Sequence, residues 1–243
     1  MQNRYIGDIN DFGKYGLLKN LCQGRGLQLG VNWYLVPDEH AAKEKNNDGK
    51  LIEYASFKKK DEPLYNQLQE IISSNKRDIS EIVWRPILPK GTIFYNHPLP
   101  VGPNEFDRDE WFDNSLTHLN KCSVIFCDPD NGLEITTCSK YHPKKASKYI
   151  FIDEIKEIYR AGKSVIIYQH SSRTGSHEEQ IKKRKQQILK ALLIKKEELI
   201  RVVKSRGVYF FIIIHSAHSD ILQDRLARLK EGPWKTILEL KDT

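Results

Sequence analysis

No apolar run in this chain of 243 residues approaches the ~20 needed to cross a bilayer, so a membrane-spanning helix is not expected. The opening MQNRYIGD lacks the apolar core of a signal peptide, which gives the expectation of a cytoplasmic protein. Cysteine is scarce: Cys22, Cys122, Cys127 and Cys138 form no C-x-x-C pair, and Cys122 and Cys127 have opposite parity on an expected strand, hence opposite faces. Buried reduced thiols are expected rather than a disulfide framework or a thiolate zinc site. The phosphate loop G-x-x-x-x-G-K-S/T, the G-x-S-x-G elbow and H-E-x-x-H are missing too. No segment repeats, and no linker is long enough to separate two domains.

What is present reads as a single globular domain: 39% hydrophobic residues, with ten Pro and fourteen Gly. Lys+Arg 39 against Asp+Glu 32 leaves a net charge of +7. That balance favours phosphate-rich partners through counterion release. The charge is concentrated in KKRKQQILKALLIKK, residues 182 to 196. This stretch is either the solvated face of an amphipathic helix or a set of nucleic-acid contacts, for which Lys182, Lys183, Arg184 and Lys185 are the candidates.

The pattern alternates. Helical spacing covers residues 11 to 23, 61 to 74, 107 to 120, 147 to 163, 176 to 196 and 217 to 230. Strands are expected at 30 to 36, 123 to 127 and 164 to 170, with a hairpin in LIRVVKSRGVYFFIII and a last short strand in WKTILEL. IVWRPILP suggests another short strand, and residues 85 to 105, with five prolines, suggest an insertion. The expected fold is α/β: one doubly wound, mostly parallel Rossmann-like sheet with helices on both faces and a C-terminal antiparallel hairpin. Trp33, Trp84, Trp111 and Trp234 are expected in core or rim packing.

In such sheets ligands bind beyond the carboxyl ends of the strands. PDEH, DPDNG and YQHSSR all fall there. In CDPDNGLE, Asp128 and Asp130 flank Pro129, which fixes its own φ, and Asn131-Gly132 can turn sharply. Such rigid acceptors either orient an amine or hold a divalent cation, unless the segment is only a strand-ending turn. His170 is a candidate base, proton shuttle or stacking surface, or a structural histidine, and Arg173 a candidate phosphate contact. Asp128, Asp130 and Glu134 are close enough in sequence to hold Mg²⁺ or Mn²⁺, with Lys14 or His170 assisting a water, as in a metal-dependent nuclease or phosphodiesterase. His215 and His218 complete no zinc pattern.

The stretch RYIGDINDFGKYGLLKNL carries more Gly and Asp than a helix start requires. GDINDFGKYGLL, with Gly7, Asp8, Asp11 and Lys14, resembles the G-N-x-x-D-x-x-K-H segment near the N-terminus of the large-subunit ribosomal RNA adenine-N6 methyltransferases. The order of later parts is similar, and CDPDNG stands where that family has D-P-P-Y. The resemblance implies an S-adenosylmethionine-dependent methyltransferase acting on nucleic acid, at an exocyclic base amine. It makes Asp128, Pro129, Asp130, Asn131 and His170 the catalytic candidates, with Asp128 and the Pro129 carbonyl accepting from the amine. Gly7, Asp8, Asp11 and Lys14 would cover one side of the cofactor, and Asp38 or Glu39 would bind its ribose or amino group. Tyr5 or Tyr168 would stack on the base, and Arg173 with the basic helix would hold phosphates. The chain departs from the family in having no Gly-rich loop after its first strand and in carrying Asp130 and Asn131 for the second Pro and the aromatic. A catalytically silent nucleic-acid-binding module of the same fold is the further alternative.

Overall fold

The structure, a computed structural model, describes residues 1–24, 26–41, 49–101, 105–142, 145–172 and 174–241. Its strands are β1 (Leu29–Asn32), β2 (Ile93–Tyr95), β3 (Val124–Cys127), β4 (Gly132–Leu133), β5 (Tyr149–Ile150), β6 (Ser164–His170), β7 (Ile200–Ser205), β8 (Val208–Ile213) and β9 (Glu239–Lys241). Its helices are α1 (Ile9–Cys22), α2 (Asp38–Ala41), α3 (Glu62–Ser73), α4 (Ile79–Trp84), α5 (Glu105–His118), α6 (Ile152–Arg160), α7 (His177–Leu192) and α8 (Ser219–Leu229).

A seven-stranded sheet runs in the order β2-β1-β3-β6-β8-β7-β9, and β4 pairs with β5 alongside it. β2, β1, β3 and β6 are mutually parallel; Asn32 lies opposite Tyr95 and Cys127, and Cys127 opposite Ile167. β8 runs antiparallel to both β6 and β7, with Ser205 opposite Val208, and β9 closes the edge antiparallel to β7. Alternating side chains of these strands feed two cores. Val124, Phe126, Ile166 and Phe210 join α1, α3, α4 and α8 on one face. Ile125, Cys127, Ile167 and Phe211 join α5, α6 and α7 on the other.

Capping chemistry explains where the helices start. Asp8 caps α1 by accepting from Asn10 and Asp11 N–H, and Asp61 caps α3, which has a proline in its first turn. Ser176 and Glu179 form a capping box on α7. α1 then lies so close to the segment after α8 that a Cβ on Gly16 would sit 2.1 Å from the Trp234 ring.

Five expectations change. The helix expected at 147 to 163 is confined to α6, Ile152–Arg160, because Tyr149–Ile150 pair with β4 as strand β5. Residues 79 to 84 are helix α4, because Asp78 accepts from Ser80 N–H and places Ile79 and Ile82 on one buried face. Trp84 at the end of α4 is 82% exposed and packs in no core, unlike Trp33, Trp111 and Trp234. Within 85 to 105, residues 93 to 95 are β2, an integral strand paired with β1. Cys122 and Cys127 belong to the same core, since Cys122 precedes the strand and parity does not apply to it; all four cysteines are buried and unbridged.

Candidate functional site

At the carboxyl end of β3 the chain passes from Cys127 into Asp128, Pro129, Asp130 and Asn131, then turns at Gly132. Gly132 has φ +102°, and a Cβ there would meet Gln169 Oε1 at 2.5 Å, so only glycine fits. Gln169 clamps this turn: its Nε2 donates to Asn131 O at 2.8 Å and its Oε1 accepts from Leu133 N–H at 2.9 Å.

The opening segment packs directly onto the turn. Lys14, from the second turn of α1, places Nζ 2.8 Å from Asp128 Oδ2 and 2.6 Å from Asp11 Oδ1, and all three residues are buried. Asp11 Oδ2 accepts from Gly7 N–H at 2.9 Å and from the Tyr15 hydroxyl at 3.3 Å. Asp130 is held separately, by the Met1 ammonium at 2.6 Å and by Gln2 Nε2 at 2.6 Å. The same ammonium donates to the carbonyls of Tyr34 and Asp128. Burial alone would pull the Lys14 ammonium down, but Asp11 and Asp128 outweigh it and hold its pKa above the usual lysine range. Asp8, desolvated and beside Asp11, is pushed up to about 7. Burial pushes the Asp128 carboxyl up as well, against the lowering by Lys14 and the Met1 ammonium.

The other expected residues divide. Tyr5 and Tyr168 border the same cavity as Asp8, Asp11, Lys14, Asp128, Pro129 and Asp130. His170 is exposed at the end of β6, with Nε2 3.3 Å from the Tyr168 hydroxyl. Asp38 is exposed, accepts from Asn3 Nδ2 at 3.2 Å and is not in the lining of that cavity. Glu39 falls in α2, its side chain outside the described residues, as is Arg173 altogether. Glu134 does not join Asp128 and Asp130: its carboxylate accepts from Ile152 N–H at the start of α6. Among the described residues no group of three or more His, Cys, Asp or Glu side chains is arranged to hold a metal ion, and no helix is long and apolar enough to cross a membrane.

On α7, Lys182 and Lys183 are exposed and Arg184 is half-buried, whereas Lys185 turns inward and faces Glu197 at 3.9 Å. Lys185 is therefore corrected from a surface contact to a buried, ion-paired group. Three participants went unread in the sequence: Gln169, Tyr34 and the Met1–Gln2 pair. Their roles arise from contacts across 33 to 128 residues, as in Met1 to Tyr34, Gln169 to Leu133 and Gln2 to Asp130, which no local spacing announces.

Whether S-adenosylmethionine fits is decided by the space beyond β1. Trp33 and Tyr34 follow the strand directly, both 0% exposed, with Tyr34 at φ +48° turning its ring into the core against Trp111. The cavity at the ion-pair cluster is about 30 Å³. That is room for about one water, against roughly 300–1,000 Å³ for small-molecule sites. The residues present at this edge do not fit the cofactor in this arrangement. Compared with known proteins, the chain matches no family model, no curated protein and no solved structure.

Proposed function

We propose that the chain is a nucleic-acid-binding module on a Rossmann-like, methyltransferase-type scaffold, whose reaction edge is closed by internal ion pairs. The observation that carries this reading is the occupation of that edge. Lys14 takes the Asp128 carboxylate that would receive a substrate amine, the Met1 ammonium takes Asp130 and the Asp128 carbonyl, and Trp33 and Tyr34 fill the end of β1. The binding half of the reading rests on the net charge of +7 and on the exposed Lys182 and Lys183 of α7.

A second reading, methyl transfer to an exocyclic amine, is favoured by one specific observation. The two segments on which the family resemblance rests, 114 residues apart, meet at the Lys14–Asp128 pair. Calorimetry with S-adenosylmethionine and S-adenosylhomocysteine separates the readings. No heat with either, together with salt-dependent binding of a single-stranded oligonucleotide, is the expected result. Micromolar binding of either compound, lost in Asp128→Asn, overturns the closed-edge reading in favour of methyl transfer.

A further inference from the structure

Beyond the turn that Gln169 clamps lies a cavity of about 410 Å³ that the closed edge does not use, at the carboxyl end of β6 under α7. That volume lies within the roughly 300–1,000 Å³ of small-molecule sites. Its walls differ in chemistry. Lys183 and Arg184 line it from α7, while Tyr209 and Phe211 line it from β8 with ring centroids 6.5 Å apart.

Among the described residues, the two cations Lys183 and Arg184 of this cavity stand in no ion pair. Arg184 Nη1 donates to the Glu134 carbonyl at 2.7 Å and to Gln187 Oε1 at 2.8 Å, both neutral acceptors. Among the described residues no carboxylate lies within ion-pair distance of Arg184 or Lys183. Burial pulls the Arg184 pKa down, and the more distant Tyr149 and Glu134 offset this only in part. The acidic side chain in the lining, Glu179, is turned to the helix cap, where Oε2 accepts from Ser176 N–H at 2.8 Å and from its hydroxyl at 3.0 Å. Gln180, also in the lining, has its Nε2 donating to the carbonyls of Ser172, Thr174 and Gly175, each at 3.1 Å. A half-buried guanidinium without an ion pair costs free energy unless an anion completes it.

We propose that this cavity binds a nucleotide, with its phosphate on Lys183 and Arg184 and its base toward Tyr209 and Phe211. Phosphate suits the planar guanidinium, and a base suits an aromatic wall. The nucleotide comes either free in solution or as one residue of a bound strand. For the strand the inference rests on the nucleic-acid reading above; for the free nucleotide it stands alone.

The test is calorimetric titration of the intact chain with adenosine 5′-monophosphate, inorganic phosphate, adenosine and a single-stranded oligonucleotide. The variants are Lys183→Gln and Arg184→Gln, with Lys182→Gln as a control for charge alone. Adenosine 5′-monophosphate binding at one site, tighter than phosphate or adenosine, and weakened about tenfold by either cavity variant but not by the control, is expected. Lys183 is exposed on α7, so its variant reports even where Arg184→Gln fails to fold. Equal effects of all three variants, or no saturable binding of the monophosphate, overturn the cavity. An oligonucleotide whose affinity falls no more in Lys183→Gln than in Lys182→Gln, and is unchanged in Arg184→Gln, overturns the strand as the source and leaves the nucleic-acid reading standing. Monophosphate binding without oligonucleotide binding supports the free nucleotide and sinks that reading.

Discussion

Lys14 Nζ lies 2.8 Å from Asp128 Oδ2, joining the first helix to the end of the third strand across 114 residues, with both side chains 2–3% exposed. The ammonium is shared with Asp11 at 2.6 Å, so one cation answers two buried carboxylates. In a dry setting such a group is far more costly to break than to make, because the partners left behind cannot reach water.

Lys14→Met should therefore destabilise the fold by about 3–5 kcal/mol, since it strands both Asp11 and Asp128. Asp128→Asn leaves Lys14 paired with Asp11 and should cost less, about 1–3 kcal/mol. Urea unfolding followed by tryptophan fluorescence measures both. A Lys14→Met cost no larger than that of Asp128→Asn would mean that the shared ammonium does not organise the cluster.

Asp8 gives stability a pH dependence whose sign is fixed. Its folded pKa of about 7 lies above the ordinary 3.8, so between these values the folded state holds a proton that the unfolded chain has released. Its contribution is full below about pH 4, falls as pH rises toward 7, and is level above that. An asparagine in its place has no proton to lose yet still caps α1. Asp8→Asn should lose this decline and gain at least about 1 kcal/mol over wild type at pH 8 relative to pH 4. Parallel stability curves for the two proteins would rule out the raised Asp8.

The alternation of strands and helices was legible because central strands such as β3, β6 and β8 are short apolar runs, and β6 is found at the residues its pattern marks, 164 to 170. α4 was misread because IVW is rich in β-branched and aromatic residues, while the signal that decided it, Asp78 as a cap, lies outside that run. The DPDNG turn could be placed at a sheet edge, and its need for glycine read. What could not be read is that Asp128 and Asp130 are occupied. That depends on where Lys14 and Met1 arrive in three dimensions, and a carboxylate looks the same in sequence whether its partner is substrate or self. The helix expected at 11 to 23 is found as α1, Ile9 to Cys22, with Gly13 and Gly16 inside it, but the close packing those glycines permit could not be read from the sequence.

The two kinds of lysine on α7 should separate experimentally. Lys182→Gln and Lys183→Gln remove exposed charges, so each should lower the slope of log K against log salt for oligonucleotide binding by about 1. Lys185→Gln acts on a buried side chain facing Glu197, so it should lower the melting temperature and leave the slope unchanged. An unchanged slope in Lys182→Gln and Lys183→Gln would reduce that face to ordinary solvated surface.

Gly16 tests the packing explanation of the opening segment. In an exposed helix interior, Gly→Ala is stabilising by about 1 kcal/mol, because alanine loses less backbone entropy on folding. At Gly16 the added methyl would lie 2.1–2.7 Å from three carbons of the Trp234 ring, which is itself packed on Phe12 at a centroid distance of 5.1 Å. Overpacking should win, so Gly16→Ala is expected to destabilise by about 1–3 kcal/mol. Trp234→Leu opens the site, and in that background Gly16→Ala should recover much of its helix advantage, giving a coupling of about 0.5–3 kcal/mol in a double-mutant cycle. If Gly16→Ala cost the same in both backgrounds, the ring would not be what excludes a side chain there, and the glycine would need another cause.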